Sequence, residues 1–252
     1  MRLRAHTLAE RPELARHDRR LHARAWPAFL EDTALNPLFD HVARGPDFAD
    51  FQLGLWDERG RVVAVGNTVP FHWSGAPADL PHRIADVVAR GLADRKRGRA
   101  PNAMSALAAV VDLRVRGHGL SARVIQEMGR IAARHGFRAL VAPVRPTLKG
   151  RYPLVPMERY VRWRAPGGGP FDPWLRVHWR LGARVVRIAQ RAMVVEAPLA
   201  QWEEWTGLDF PVSGPFVVPG AFNPVRIDRA RQRGLYVEPN VWMRHPVRRG
   251  SR

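Results

Sequence analysis

The 252-residue sequence contains no cysteine. That removes disulfides, thiol nucleophiles and thiolate metal sites together, and a reducing compartment is the simplest expectation. Lysine is nearly absent too: of forty-one basic residues only Lys96 and Lys149 are lysines, the rest being arginines. No apolar run nears bilayer length, residues 106–111 forming one of the longest, and the opening MRLRAHTLAERPELARHDRR carries no apolar segment behind its basic residues. A soluble, cytoplasmic protein with no membrane contact is expected. His6, His17, His22 and His41 lack carboxylates at ligand spacing, so no metal is implied. There is no internal repeat and no long Pro/Gly linker, which favours one elaborated domain.

What is present suffices for a core: 46% of residues are hydrophobic and 25% charged. The formal charge of +18 raises the question of nucleic acid. The arginine-over-lysine bias, with abundant Ala, Gly and Pro, is also what a GC-rich genome produces. The arginines are spread along the chain, and the one dense run, Arg95-Lys96-Arg97-Gly98-Arg99, suits a solvated loop. Phosphate binding needs clustering in space, so a nucleic-acid-binding protein stays an alternative that is not favoured.

Along the chain, residues 2–7 suit a short strand, and Pro12 opens a helical pattern carrying Leu14, Leu21 and Ala25. A second short helix starts at Asn36-Pro37. Residues 51–56 and 61–73 read as two antiparallel strands joined by the turn Asp57-Glu58-Arg59-Gly60. Asp79 suits the N-cap of a helix with Leu80, Ile84, Val87, Val88 and Leu92 on one stripe. Residues 105–115 form a mostly apolar run, the pattern of a strand buried on both faces. Arg114-Val115-Arg116-Gly117-His118-Gly119 follows at once. From Leu120 the period changes to helical, with Val124, Ile125, Met128, Ile131 and Ala132 on one stripe up to His135-Gly136. Residues 138–144 give another strand, completing a strand–helix–strand unit of parallel type.

A glycine turn between strand and helix exposes backbone N–H groups at the positive helix end, an anion site made from backbone alone. The pattern Arg-x-x-Gly-x-Gly is short, and Arg164-Ala165-Pro166-Gly167-Gly168-Gly169 matches it too; Pro166 and Pro170 remove donors there, so that copy reads as a loop.

The ordered strand, Arg114-x-x-Gly117-x-Gly119 turn and amphipathic helix resemble the GCN5-related N-acetyltransferase (GNAT) family. Residues 1–26 look like its first strand and helix, and 174–186 like its last core helix and the next strand. The resemblance implies an α/β fold with a mixed, splayed central sheet flanked by helices. It covers residues 1–197 as core, with an insertion at about 147–170, and leaves 198–252 as a C-terminal extension packed on the same domain, expected to cover the sheet. A homodimer contact is another use for that extension.

The implied function is transfer of an acetyl or other small acyl group from CoA to an unknown amine by direct attack; the alternatives are a non-catalytic CoA-binding protein and the nucleic-acid binder. The resemblance places acetyl-CoA as co-substrate against Leu113, Arg114, Val115, Arg116, Gly117, His118, Gly119, Leu120 and Ser121. Pantetheine would bond the strand end 113–115, and pyrophosphate the turn. Arg116, His118 and Arg123 flank the phosphates, and Arg145 and Lys149 follow the next strand. Where the family often carries a tyrosine that protonates the leaving thiolate, this sequence has His178, beside the apolar residues Trp174, Val177 and Leu181. His178 is thus an acid candidate or a packing residue, with Tyr152 or Tyr160 of the insertion as substitutes. Asp112 and Glu158 are the candidate bases.

Overall fold

The turn at 57–60 closes as its chemistry requires: Gly60 takes a φ of 73° and the Asp57 carboxylate accepts the amides of Arg59 and Arg61. This is the first hairpin of a computed structural model that describes residues 2–23, 25–31 and 35–247. In chain order its elements are β1 (Arg4–Thr7), α1 (Leu14–His22), α2 (Ala28–Glu31), α3 (Asn36–Arg44), β2 (Leu53–Trp56), β3 (Val62–Phe71), α4 (Ile84–Lys96) and β4 (Ala103–Val111). There follow α5 (Leu120–Arg134), β5 (Ala139–Val144), α6 (Met157–Tyr160), α7 (Pro173–Arg180), β6 (Arg184–Pro198), α8 (Leu199–Thr206), β7 (Gly214–Phe216), β8 (Val225–Asp228) and β9 (Arg233–His245).

The strands join in one mixed sheet ordered β1-β2-β3-β4-β5-β9-β8-β7, with β6 on the other side of β9. All neighbours run antiparallel except β4 and β5. Ten consecutive buried residues in β3 show why the centre reads as continuous apolar sequence: helices cover both faces. On one face α5 lays Leu120, Val124, Ile125, Met128 and Ile131 on β4 and β5, together with Leu175 of α7. On the other, α1 packs Leu14 against Val62, Val65 and Val110, and α4 packs Val87 and Val88 against Val69 and Phe71.

The expected mixed α/β sheet is present, and three local readings differ. The central strand ends at Val111 rather than Val115, because the Asp112 side chain accepts the Arg114 amide at 3.0 Å and turns residues 113–115 into a 3-10 helix. The fourth helix begins at Ile84; Asp79 instead accepts the Ser74 amide and pairs with Arg90. Residues after 197 do not simply cover the sheet, since β9 lies inside it between β5 and β6. Of the extension at 198–252, residues 248–252 lie outside the described residues. The extension opens with the helix α8, with Trp202 buried and Gly207 closing it at a φ of 65°.

Candidate active site

The parallel pair β4/β5 is joined over only three positions, Ala103–Ala139, Met104–Leu140 and Ser105–Val141. Beyond them the strands diverge, so residues 106–111 have no β5 partner among the described residues. A bulge marks the divergence: on β3, Thr68 faces Ala106 and the adjacent Asn67 faces Ala108, which leaves Leu107 as the extra residue. Leu107, Ala109 and Val111 are accordingly half-exposed, although β4 lies in the middle of the sheet. An open cleft with unused backbone donors and acceptors along one wall suits an extended ligand that pairs as a strand would.

The mouth of this cleft is the glycine turn. Gly117 and Gly119 take φ values of 86° and 73°, a left-handed backbone that favours glycine. Gly119 stands at the N-cap of α5, no side chain caps the helix, and its first backbone bond runs from the Arg123 amide to the Gly119 carbonyl. The amides of Leu120, Ser121 and Ala122 are thereby left for a ligand, at the positive end of a 15-residue helix. Of the residues named from sequence, Leu113, Arg114, Arg116, Gly117, His118 and Gly119 are exposed, Val115 and Ser121 half-buried and Leu120 buried. His118 Nδ1 lies against its own turn, 3.0 Å from the Arg116 carbonyl. Arg123 is committed to Glu127 at 2.7 Å.

Other predicted residues stand differently from the sequence reading. Asp112 is off the strand, 3.3 Å from the Arg114 guanidinium, and its bond from the Arg114 amide holds its carboxyl below the usual range, which weakens it as a base. His178 is only 1% exposed, and its Nδ1 lies 2.8 Å from Nε2 of His245 on β9. Burial pulls the two imidazoles down to about 3 and about 4, so both are neutral at neutral pH, and the His178 ring has no proton to give as an imidazolium there. Tyr152 and Tyr160 join Trp163 and Phe171 in one aromatic cluster. The Tyr160 hydroxyl donates to Asp172 at 2.8 Å, and burial together with that bond pushes it above the usual tyrosine range. Glu158 is exposed and takes a bond from Gln190.

Arg145 and Lys149 do not reach toward the glycine turn. Arg145 makes a bidentate pair with buried Glu238, Nε and Nη2 each at 2.9 Å, and stacks on Phe222. Lys149 is buried, donates to the Tyr152 and Phe222 carbonyls, and is lowered by burial to about 8. Two acidic side chains escape the sequence reading. Asp172 accepts from the amides of Thr147, Leu148, Trp174 and Leu175 as well as from Tyr160, and so ties the inserted segment to the start of α7. Asp18 is the other; it lies on the same α1 stripe as Leu14, four residues on, and a charge on an apolar stripe is the signal that would have found it.

No protein-family model matches the chain. It is 35% identical over 250 residues to the arginine N-acetyltransferase avaD of Aspergillus versicolor, covering 88% of this chain and 85% of that protein. The chain belongs to the GNAT family. Its fold matches the loading GNATL domain of CurA from Lyngbya majuscula with a TM-score of 0.63 at 14% identity, over 98% of each chain. It also matches the GphF GNAT-like decarboxylase, solved with isobutyryl-CoA, with a TM-score of 0.60 at 21% identity over 98% of this chain and 100% of that one. At these identities the likeness is one of fold. The 35% identity across most of both chains makes the protein an acyl-CoA-dependent N-acetyltransferase. The divergent β4/β5 cleft and the uncapped glycine turn fit its thioester co-substrate: one is extended and polar along its wall, the other rich in anion-binding amides. No helix among the described residues is long and apolar enough to cross a membrane, and none of their His, Asp and Glu residues form a group of three that could hold a metal ion.

Proposed function

We propose that the enzyme acetylates the α-amine of arginine, or of a closely related guanidinium amine, using acetyl-CoA bound along 113–121. The observation that carries this is the 35% identity with an arginine N-acetyltransferase across most of both chains. Arginine offers one nucleophilic amine, because its guanidinium stays protonated throughout the working pH range. The reaction asks for little covalent chemistry from the protein: the amine loses a proton, attacks the thioester carbonyl and expels the thiolate, and the chief task is alignment.

In this reading the pyrophosphate takes the amides of Leu120, Ser121 and Ala122, and the pantetheine arm lies along the open side of β4. The test is an assay of thiol release from acetyl-CoA with arginine, agmatine, lysine and tyramine as acceptors, with products weighed by mass spectrometry. Monoacetylated arginine formed with the highest kcat/KM supports the assignment. Transfer to tyramine with arginine inert would replace the acceptor and keep the reaction. No transfer to any of them would remove the reading.

A further inference from the structure

Gly66 and Asn67 of β3 point to opposite faces of the sheet. A side chain at Gly66 would collide with Val124 and Met128, so that face belongs to α5 and to the mouth of the cleft. Asn67 faces α1, where it enters a buried polar cluster. Its amide nitrogen donates to Asp18 Oδ1 at 3.0 Å, and its oxygen lies 3.0 Å from Nε2 of His22. Asp18 Oδ1 is 3.5 Å from the same imidazole nitrogen, and Asp18 Oδ2 is 3.0 Å from Nε of Arg44. Arg44 of α3 also pairs with Asp40, and Phe39 packs its ring on His22.

This cluster stands level with the divergence of β4 and β5. Asn67 pairs with Ala108, the residue after the bulge, on the stretch of β4 whose other edge is open. Further along, Pro27 packs against Gly220, and Phe29 packs on Trp202 and on Tyr236 of β9. Trp26 packs both against the cluster that holds Ala108 and Val110 of β4 and against the cluster of Phe29, Trp202 and Tyr236, so it bridges the two sides of the cleft on the face opposite α5. A purely structural role would not require ions here, since buried pairs of this kind add little stability over apolar packing.

We infer that His22, oriented by Asn67 and Asp18, is the group that takes the proton from the acceptor amine. The assignment rests on the acyl-transfer reading above and deepens it. The indole N–H of Trp26 points at Nδ1 from 3.5 Å, a long contact, and Nε2–H points at Asn67 and Asp18. Nδ1 therefore carries the lone pair, and an entering amine displaces the indole. The amine nitrogen bonds to the thioester carbon, the C–S pair leaves with sulfur as CoA thiolate, and the nitrogen's proton passes to Nδ1. The imidazolium returns that proton to solvent, and the thiolate takes one from water. Burial lowers the affinity of His22 for protons while Asp18 raises it and Arg44 lowers it again, so the ring is free to act as a base at neutral pH.

The experiment is a pH profile of kcat with arginine for the wild type, His22→Gln and Asp18→Asn, beside calorimetric titration of CoA into each. His22→Gln is expected to bind CoA unchanged, to lose about 100-fold or more in kcat, and to lose the acid limb of the profile. Asp18→Asn keeps that limb and moves it to lower pH, because the anion that raises the imidazole pKa is gone. His22→Gln within about threefold of wild type, or slower with the limb unmoved, overturns the assignment. If His22→Gln does not fold, the limb in Asp18→Asn decides: a shift supports His22, and an unmoved limb rejects it. A wild type that acetylates no amine defeats the acyl-transfer reading and this one together, which is distinct from a His22 variant that still transfers normally.

Discussion

Replacement of Gly119 separates the backbone demand of the glycine turn from its role toward CoA. A Cβ at Gly119 meets nothing within 4 Å, so Gly119→Ala costs only the left-handed backbone at φ 73°, about 1–2 kcal/mol. Gly136, just past the other end of α5, provides the control: its φ is 71° and a Cβ there also meets nothing. At 1.5 Å per residue it lies about 25 Å from Gly119. Both alanine variants should therefore melt a few degrees lower and by similar amounts. CoA at 100 times its Kd should stabilise the wild type by about 2.7 kcal/mol, a rise on the order of 5–10 °C. Gly136→Ala should keep that rise, Gly119→Ala should lose part of it, and Gly119→Trp should lose nearly all, since its indole would cover the free amides of 120–122. A thermal-shift titration with circular dichroism as the fold check reads this directly. If the variants at 119 and 136 respond to CoA alike, the turn does not hold the phosphates and the argument from uncapped amides fails.

Asp172→Ala should be severely destabilising, because it leaves the Tyr160 hydroxyl and four amides without their carboxylate; at about 1–3 kcal/mol for each buried group left unsatisfied, a loss of at least about 3 kcal/mol is expected in urea unfolding. Tyr160→Phe should cost only about 1 kcal/mol, and a similar loss in both variants would show that Asp172 is not the hub of that segment. The His178–His245 pair predicts acid sensitivity. Both rings hold protons more weakly folded than unfolded, so their contribution is complete above the unfolded pKa near 6.5 and is lost as pH falls toward about 4, at roughly 1.4 kcal/mol per pH unit for each ring. Urea midpoints measured between pH 7.5 and 5 should fall steeply in the wild type and less so in His178→Phe; equal slopes would refute the assignment to this pair.

The features legible in sequence are those set by local rules. The α5 stripe shows because its period is 3.6, and the turn before it because only glycine adopts that backbone cheaply. The end of β4 is not legible: the apolar pattern runs on through Leu113 and Val115, and it hides the point where the Asp112 side chain captures an amide and breaks the strand, leaving Leu113 exposed. His178 can be placed on a buried helix face, but its partner lies 67 residues away on a strand that nothing local announces. Lys149 and Arg145 resemble phosphate ligands in sequence because each follows a strand, and their commitment to Phe222 and Glu238 is a tertiary fact. The Asp18–His22 pair shows as polar residues on an apolar stripe, yet its tie to Asn67 and the cleft needs the sheet.

The interior position of β9 sets an order on synthesis. Among the described residues β6 bonds only to β9, and beyond the three positions shared with β4 so does β5. A nascent chain that has reached residue 198 therefore presents two unsatisfied strand edges with a gap between them, and the sheet can close only once residues 233–245 have left the ribosome. Until then those edges are open to wrong partners. Trimming the C-terminus at residue 232 would remove a strand from the interior of the sheet rather than an edge.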